Sequence, residues 1–341
     1  MVRQVAQVLL GAIESTILSK DEKDFLSSHS CAGITLFKRN ISLESSFLCQ
    51  KLTSEIQKTN LSSNLPLIIA VDQEGGRVSR FGKDCPNFGP CLNLEKGQTD
   101  KKSLENIKLY AFHLGLFLQK VGVNVNFAPV VDILTCEENL AIGDRAFGRS
   151  VEQVILRAQS FADGLRQAKV KSCLKHFPGQ GDALYDTHYK PCEINLDEHF
   201  MWKRELLPFK AMTANVDMVM VSHCIYPQFC SLEASRSSVI MTDLLKKKMH
   251  FSGLIVSDDM TMGAVTQSDE DLGEYIIESI VAGCDLVLIC RGLAAWSKVY
   301  KRLSLEACHS KAFFKRLDQA SQKVNLYRQS LAKGRSLRSA F

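Results

Sequence analysis

Titratable side chains are concentrated in one short segment of this chain, KHFPGQGDALYDTH at 175–188. It contains two histidines, two aspartates and a lysine around one proline and two glycines. Proline and glycine both disfavour a regular helix, so the segment is expected to form a loop. A solvated surface loop is the ordinary explanation of such a composition. A catalytic loop is the alternative, and the position of the segment in the fold decides between the two.

The spacing of Asp186 and His188 suits proton transfer. In extended backbone, side chains two residues apart point to the same side. A carboxylate beside an imidazole fixes the tautomer of the ring and favours its protonated form, and histidine is the commonest general acid or base. The same spacing fits equally well a hydrogen bond that only stabilises the loop.

Eight short apolar runs recur along the 341 residues, with helical patterns between them. Most runs are nearly continuous, as for parallel strands buried on both faces. This alternation predicts an α/β fold, a single (β/α)8 barrel of the TIM type. An open doubly wound sheet is the weaker alternative, because no G-x-G-x-x-G follows a strand. Strands are expected at 5–13, 32–37, 67–72, 123–130, 171–177, 217–223, 253–259 and 284–290. Helices are expected at 20–28, 43–58, 103–118, 151–168, 199–214, 238–249, 269–282 and 293–306.

No linker rich in Gly and Ser divides the chain, so we expect one catalytic domain over 1–341. From about residue 307 we expect an extra helix packed outside the barrel. This tail is basic: from Lys311 onward it has eight Lys and Arg against one acidic residue, whereas 34 basic and 36 acidic residues precede it. A solvated terminal helix explains the charge, and no recognition motif suggests nucleic-acid binding.

Composition also excludes several classes of protein. Apolar residues make up 45% of the chain, yet no run reaches the roughly 18 needed for a membrane span. The first residues make a poor secretory signal. The twelve cysteines form no C-x-x-C pair and several lie in apolar runs, which favours a reduced, cytoplasmic protein over a disulfide scaffold. No spacing of His, Cys or acidic residues indicates a metal site.

Polar residues concentrate where the expected strands end, which is the catalytic face of such barrels. The segment at 175–188 is then the loop after the fifth strand, on that face. Two carboxylates, or a carboxylate and another proton carrier, can hydrolyse a glycoside. Asp258 lies at a strand end, a rigid position suited to a nucleophile. The strand-end residues are Asp72, Lys175, His176, His223, Asp258 and Asp259.

The segment at 175–188 resembles the K-H-F-P-G-H-G-x(4)-D-S/T-H signature of family 3 β-N-acetylglucosaminidases of the bacterial NagZ type. The resemblance covers most of the chain and implies a retaining hydrolase without a cofactor. It also implies a cytoplasmic role in peptidoglycan recycling, on N-acetylglucosamine linked to 1,6-anhydro-N-acetylmuramic acid with or without a stem peptide. The other similar segments, in the family's order, are IAVDQEGGRVSRF (69–81), NFAPVVDI (126–133), IGDRAFG (142–148), IVSDDMTMGA (255–264) and AGCDLVLIC (282–290).

The same resemblance implies roles for individual residues. Asp258 matches the nucleophile, His188 the acid/base and Asp186 its partner. Asp259 is read as a neighbour of the nucleophile rather than a participant. Residues expected to bind the sugar are Asp72, Arg80, Arg145, Lys175 and His176. Glu74 and Asp132 are expected to support them from behind, and the roles of Asp144 and His223 stay open.

At Gln180 the chain departs from the family, which usually has histidine there. Because the family's acid is the later histidine, this change should alter loop packing more than chemistry. Two other functions stay open: a phosphorylase, in which phosphate attacks the glycosyl-enzyme, and a sugar-binding sensor without catalysis. Retention of Asp258, Asp186 and His188 argues against the sensor. We expect a monomer whose partner is a small carbohydrate, a muropeptide fragment.

Overall fold

The computed structural model describes residues 2–43, 45–60, 63–183, 192–263, 265 and 271–333. Within them, eight parallel strands close into a barrel in which each strand pairs with the next one along the chain and the last pairs with the first. Each expected strand region contains one barrel strand, so the predicted (β/α)8 barrel is confirmed. The barrel strands are β1 Leu9–Gly11, β2 Gly33–Leu36, β3 Ile68–Val71, β4 Val125–Asn126, β5 Lys171–Phe177, β6 Met218–Val221, β9 Leu254–Asp259 and β10 Leu286–Ile289; β7 Ile225–Tyr226 and β8 Cys230–Glu233 form a separate hairpin.

Helices alternate with the barrel strands, and side-chain caps fix where several of them begin. Ser19 and Glu22 form a reciprocal capping box at the helix that begins with the next residue after Ser19, while Asp100 and Ser150 each cap the helix that directly follows them. The α-helices are α1 Arg3–Gln7, α2 Lys20–Ser28, α3 Ser46–Lys58, α4 Lys101–Lys120, α5 Val151–Gln167, α6 Glu198–Lys203, α7 Leu206–Met212, α8 Leu272–Ala282, α9 Gly292–His309 and α10 Lys311–Lys333, and a π-helix spans Val239–Lys248.

Some expected boundaries are wrong. The region 5–13 is a short helix followed by a three-residue strand, because α1 packs on α10 and Gln4 Nε2 donates to Asp318 Oδ1 at 3.1 Å. The expected strand 123–130 is reduced to two residues, and Pro129 cannot donate to a ladder. The expected helix 199–214 is divided into α6 and α7, and the helix expected at 238–249 is a π-helix.

Helix α10 seals the N-terminal end of the barrel. Val324 and Tyr327 are fully buried among the residues that fill the barrel interior. Arg328 is buried as well, and it donates to the carbonyl oxygens of Leu65 and Pro66, just before β3. The expected solvated helix is therefore wrong for this face, because an amphipathic pattern does not tell which stripe meets a barrel interior.

Two more basic residues of α10 bind Asp285, which lies just before β10. Arg316 Nη2 is 2.8 Å from Asp285 Oδ1, Lys323 Nζ is 2.8 Å from Oδ2, and Lys246 Nζ is 3.5 Å from Oδ1. Burial raises the pKa of Asp285, but Lys323, Lys246 and Arg316 outweigh it and lower that pKa to about 2. Two of the basic side chains of this helix are thus paired with a carboxylate of the barrel rather than left to solvent.

Candidate active site

A cavity of about 310 Å³ opens at the C-terminal end of the barrel, opposite α10. This volume is at the lower end for ligand sites and suits a single sugar ring. A larger groove of about 780 Å³ runs along α3, but no histidine or aspartate lines it. The cavity wall includes Asp258 and all five residues expected to bind the sugar, namely Asp72, Arg80, Arg145, Lys175 and His176.

Lys175 joins two carboxylates beneath the cavity. It is the inward residue near the end of β5, and its Nζ lies 2.7 Å from Asp72 Oδ1 and 2.6 Å from Glu74 Oε1. Burial lowers the pKa of Lys175, but Asp72 and Glu74 outweigh it, so that pKa ends above its usual range. The ammonium is therefore permanently charged. It binds Oδ1 of Asp72, which lines the cavity, and the other oxygen, Oδ2, lies 3.6 Å from Arg80 Nη2.

Arg145 forms a bidentate pair with Glu74. Its Nε is 2.8 Å from Glu74 Oε2 and its Nη2 is 2.9 Å from Oε1. Burial raises the pKa of Glu74, but the charges of Arg145 and Lys175 outweigh it and hold that pKa well below its usual range. Glu74 was expected to support from behind the residues expected to bind the sugar. It contacts Arg145 and Lys175, and it also lines the cavity.

His176 is oriented from behind by Asp132, as expected. Its Nδ1 is 2.7 Å from Asp132 Oδ2, which leaves Nε2 facing Arg145 at 3.5 Å. Asp132 is fully buried and also accepts from the backbone N–H of Gln180 at 2.7 Å. The Gln180 side chain donates to Cys224 Sγ at 3.5 Å. It therefore packs against the residues that follow β6 and does not line the cavity.

The end of β9 places two adjacent aspartates at the cavity. Asp258 Oδ1 accepts from the N–H of Asp259 at 2.8 Å. Asp259 binds the hydroxyl of Thr261 with both oxygens, at 2.7 and 2.8 Å, and the N–H of Cys290 at 3.2 Å. Burial and the charge of Asp258 raise the pKa of Asp259 in spite of the bonds from Thr261. These protein contacts suit Asp259 to a supporting role.

His223 and Asp144 lie near the site without forming its wall. His223 is buried, its Nδ1 2.7 Å from Ser235 Oγ and its Nε2 3.0 Å from the carbonyl of Asp259, and burial lowers its pKa. Asp144 Oδ1 accepts from Arg77 Nε at 2.9 Å. Asp186 and His188 lie outside the described residues, so their roles stay predictions.

Sequence reasoning missed the apolar side of the cavity. Phe37 follows β2 with the guanidinium of Arg80 5.9 Å from its ring centre, and Met262 and Cys290 line the same wall. In the sequence, a phenylalanine at the end of an apolar strand cannot be distinguished from a residue of the hydrophobic core. Across the described parts of the chain, no group of three or more His, Cys, Asp or Glu is arranged to hold a metal ion. No described helix is long and apolar enough to cross a membrane.

Comparison with known proteins decides the family to which this barrel belongs. Residues 2–325 match the N-terminal domain of glycosyl hydrolase family 3. The chain belongs to glycosyl hydrolase family 3. It is a glycoside hydrolase, and the cavity with Asp258 is its candidate active site.

Two β-hexosaminidases align with most of the chain. A β-hexosaminidase from Hydrogenovibrio crunogenus is 35% identical over 301 residues, covering 86% of this chain and 81% of the relative. A β-hexosaminidase from Idiomarina loihiensis is 31% identical over 291 residues, covering 85% of both.

Solved structures of similar proteins share the fold. NagZ from Neisseria gonorrhoeae, in complex with N-trifluoroacetyl-D-glucosamine, superposes with a TM-score of 0.77 at 27% identity, covering 93% of this chain and 98% of that one. A family 3 β-N-acetylglucosaminidase from Paenibacillus superposes with a TM-score of 0.88 at 27% identity. It covers 97% of this chain, which spans only 63% of the Paenibacillus protein.

Proposed function

We propose that this chain is a retaining exo-β-N-acetylglucosaminidase with Asp258 as its nucleophile. The observation that carries the proposal is that Asp258 shares a cavity of single-sugar size with a fixed set of charged groups. Asp72 accepts from sugar hydroxyls, and Arg80, Arg145 and Lys175 supply donors. A cavity that holds one ring favours removal of a terminal residue over cleavage within a chain.

The proposed reaction has two steps. Asp258 attacks the anomeric carbon, the glycosidic bond breaks, and the leaving oxygen takes a proton from the acid. Water then attacks the glycosyl ester, gives its proton to the same group, and releases the sugar with its original configuration. We propose His188 as that acid and base, with Asp186 as its partner.

N-Acetylglucosamine is proposed because of what similar proteins bind or are named for. Two relatives are β-hexosaminidases, and the Neisseria protein holds an N-acyl glucosamine. We further propose that the substrate is a muropeptide fragment of peptidoglycan, and that the chain acts as a monomer and one catalytic domain in the cytoplasm. All twelve cysteines are free in the structure, which supports a reducing compartment.

The test compares turnover of a chromogenic β-N-acetylglucosaminide with that of the matching β-glucoside. We expect strong preference for the first, because sites with buried polar contacts reject analogues that leave them unpaired. Equal values of kcat/KM for the two would contradict the proposed specificity. Adding phosphate should leave the rate and the product unchanged. Formation of a sugar phosphate would instead establish a phosphorylase.

The role of His188 is tested through the leaving group. A sugar leaving group needs a proton, whereas dinitrophenolate departs almost without one. His188→Ala should therefore slow glycosylation by a disaccharide by roughly 10²–10⁴-fold and glycosylation by a dinitrophenyl glycoside far less. Equal losses with both substrates would assign the proton to another group.

A further inference from the structure

The backbone that follows β5 is held between two buried carboxylates. On one side, Asp132 binds the N–H of Gln180 and the ring of His176. On the other side, Glu205 at the start of α7 is 1% exposed and lies against Gly179. The proposed function gives a role to His176, which Asp132 orients, but it gives none to Glu205.

Glu205 contacts the loop at a glycine where any other residue would be strained. A Cβ added at Gly179 would lie 2.8 Å from Glu205 Oε2, and the φ of Gly179 is +127°. The same glycine is tied in both directions: its N–H donates to the carbonyl of His176 at 2.8 Å, and its carbonyl accepts from the hydroxyl of Tyr226 at 2.8 Å. A shift of Glu205 would therefore be passed to His176 by one hydrogen bond.

Arg204 links Glu205 to the same loop further along. Its Nε donates to Glu205 Oε1 at 2.6 Å, and its Nη2 bonds to Asp182. Glu205 Oε2 has no hydrogen-bond partner although it is buried. A buried, half-satisfied carboxylate is costly and is not explained by packing alone.

We propose that Glu205 and Arg204 are positioning residues for His176. Together they hold the loop at Gly179 and at the side chain of Asp182, and the ionised form of Glu205 holds the imidazole of His176 in place more firmly than the neutral form does. The inference rests on the proposed function, because His176 is assigned to the sugar. The physical reason is that the bond from Arg204 is charge-assisted only while Glu205 is ionised.

The raised pKa of Glu205 places its change of charge near neutral pH. Burial raises the pKa of Glu205 to about 7, against the lowering effect of Arg204. Asp182 and Asp132 add to the increase. Tyr226, from β7, faces the same carboxylate and stays protonated, since burial raises its own pKa far above the usual range. Sugar binding should therefore weaken as the pH falls through about 7.

Glu205→Gln tests this directly, because glutamine mimics the protonated carboxyl. At pH 8.5 the variant should raise KM for the chromogenic substrate about tenfold, the loss expected for one charge-assisted hydrogen bond. At pH 5.5 the two proteins should have the same KM, and kcat should differ little at either pH. Equal KM values at pH 8.5 would overturn the proposal.

Two further variants separate positioning from a general structural effect. Arg204→Gln should shift the KM transition to higher pH, since loss of the cation raises the pKa of Glu205 further. Glu274→Gln breaks an exposed Arg302–Glu274 pair, neither member of which lines the cavity, and should leave KM unchanged at both pH values. If KM changed at the same pH in Arg204→Gln as in the wild type, the proposed role of the Arg204–Glu205 pair would be contradicted.

A measurement without substrate keeps the inference distinct from the proposed activity. The backbone amide of Gly179, followed by ¹⁵N NMR, should shift with a midpoint near pH 7 in the wild type. It should not do so in Glu205→Gln. A Gly179 amide that does not respond to pH would overturn the positioning role even in a fully active enzyme. A wild type that hydrolyses no β-N-acetylglucosaminide would instead contradict only the proposed function.

Discussion

The two ends of the barrel both contain buried carboxylates clustered with basic side chains, yet among the described residues one end opens to a cavity and the other is filled by α10. At the C-terminal end, Lys175 joins Asp72 and Glu74 around a cavity. At the N-terminal end, Asp285 is enclosed by Lys323 and other basic residues, and α10 covers the barrel interior. Ionic clusters with shifted pKa values therefore do not identify a catalytic face on their own.

The difference lies in what fills the space between the charges. Tyr327 occupies the closed end with an apolar ring, whereas the open end leaves room for a ligand bounded by charged groups and by Phe37. Charges that surround a filled space contribute to stability, and charges around an empty one can act on a substrate. Each of the following experiments changes one end of the barrel and measures the effect on stability, on activity or on both.

The largest effect is expected from Asp258→Ala. Without the carboxylate no glycosyl ester forms, so turnover should fall below detection while the free energy of unfolding and sugar binding stay nearly unchanged. In the wild type, a slow fluorinated N-acetylglucosamine analogue should label Asp258, as mass spectrometry can establish. A label on Asp259 would reverse the assignment of the two neighbours.

Lys175→Met and Lys323→Met form a matched pair across the barrel. Lys175→Met leaves two carboxylates short of a cation and should cost on the order of 3 kcal/mol of stability as well as most of kcat/KM. Lys323→Met should cost less than half of that, because Asp285 keeps Arg316 and Lys246. Its kcat/KM should match the wild type, and a loss there would show that the closed end also serves catalysis.

The pH dependence of stability should differ between the wild type and Glu205→Gln. Burial raises the pKa of Glu205 from 4.5 to about 7, so the folded state keeps this proton longer than the unfolded state. The resulting stability is full below pH 4.5 and is lost as the pH rises through about 7. Relative to the variant, the wild type should lose on the order of 3 kcal/mol over this range. Urea unfolding at pH 4.5 and 8 measures it, and parallel curves would contradict the shift.

The smallest effect is expected from Tyr327→Phe at the closed end. The Tyr327 hydroxyl is buried and has no hydrogen-bond partner, so its removal should be neutral or stabilising by about 1 kcal/mol. Activity should not change. A clear loss of stability in denaturant unfolding would mean that the hydroxyl is satisfied, for instance by a trapped water molecule.

The barrel and its polar rim could be predicted because both follow from the strand pattern. Parallel strands place their carboxyl ends at one edge, so Asp72, Lys175 and Asp258 had to meet there once the strands were identified. The positions of Glu74 and Arg145 follow from loops whose course no periodicity encodes. Only the resemblance to a family indicated them.

The closed end could not be predicted for a different reason. Asp285 precedes its strand by one residue, and an isolated aspartate there looks like an ordinary turn residue. The partners that bury it come from α10, and a basic amphipathic helix has the same pattern whether it faces solvent or protein. Arg204 and Glu205 were likewise hidden, because a charged pair between two helices is typical of a surface loop.

The pairing of β1 with β10 has a consequence for how the chain reaches this structure. Leu9 is the register partner of Val287, so the barrel cannot close until nearly all of its sequence is available. Contacts of such long range slow folding. During synthesis on a ribosome, the edge of β1 that pairs with β10 would stay unpaired until β10 and then α10 emerge. This interval is when the nascent chain is most exposed to aggregation and would gain most from a chaperone.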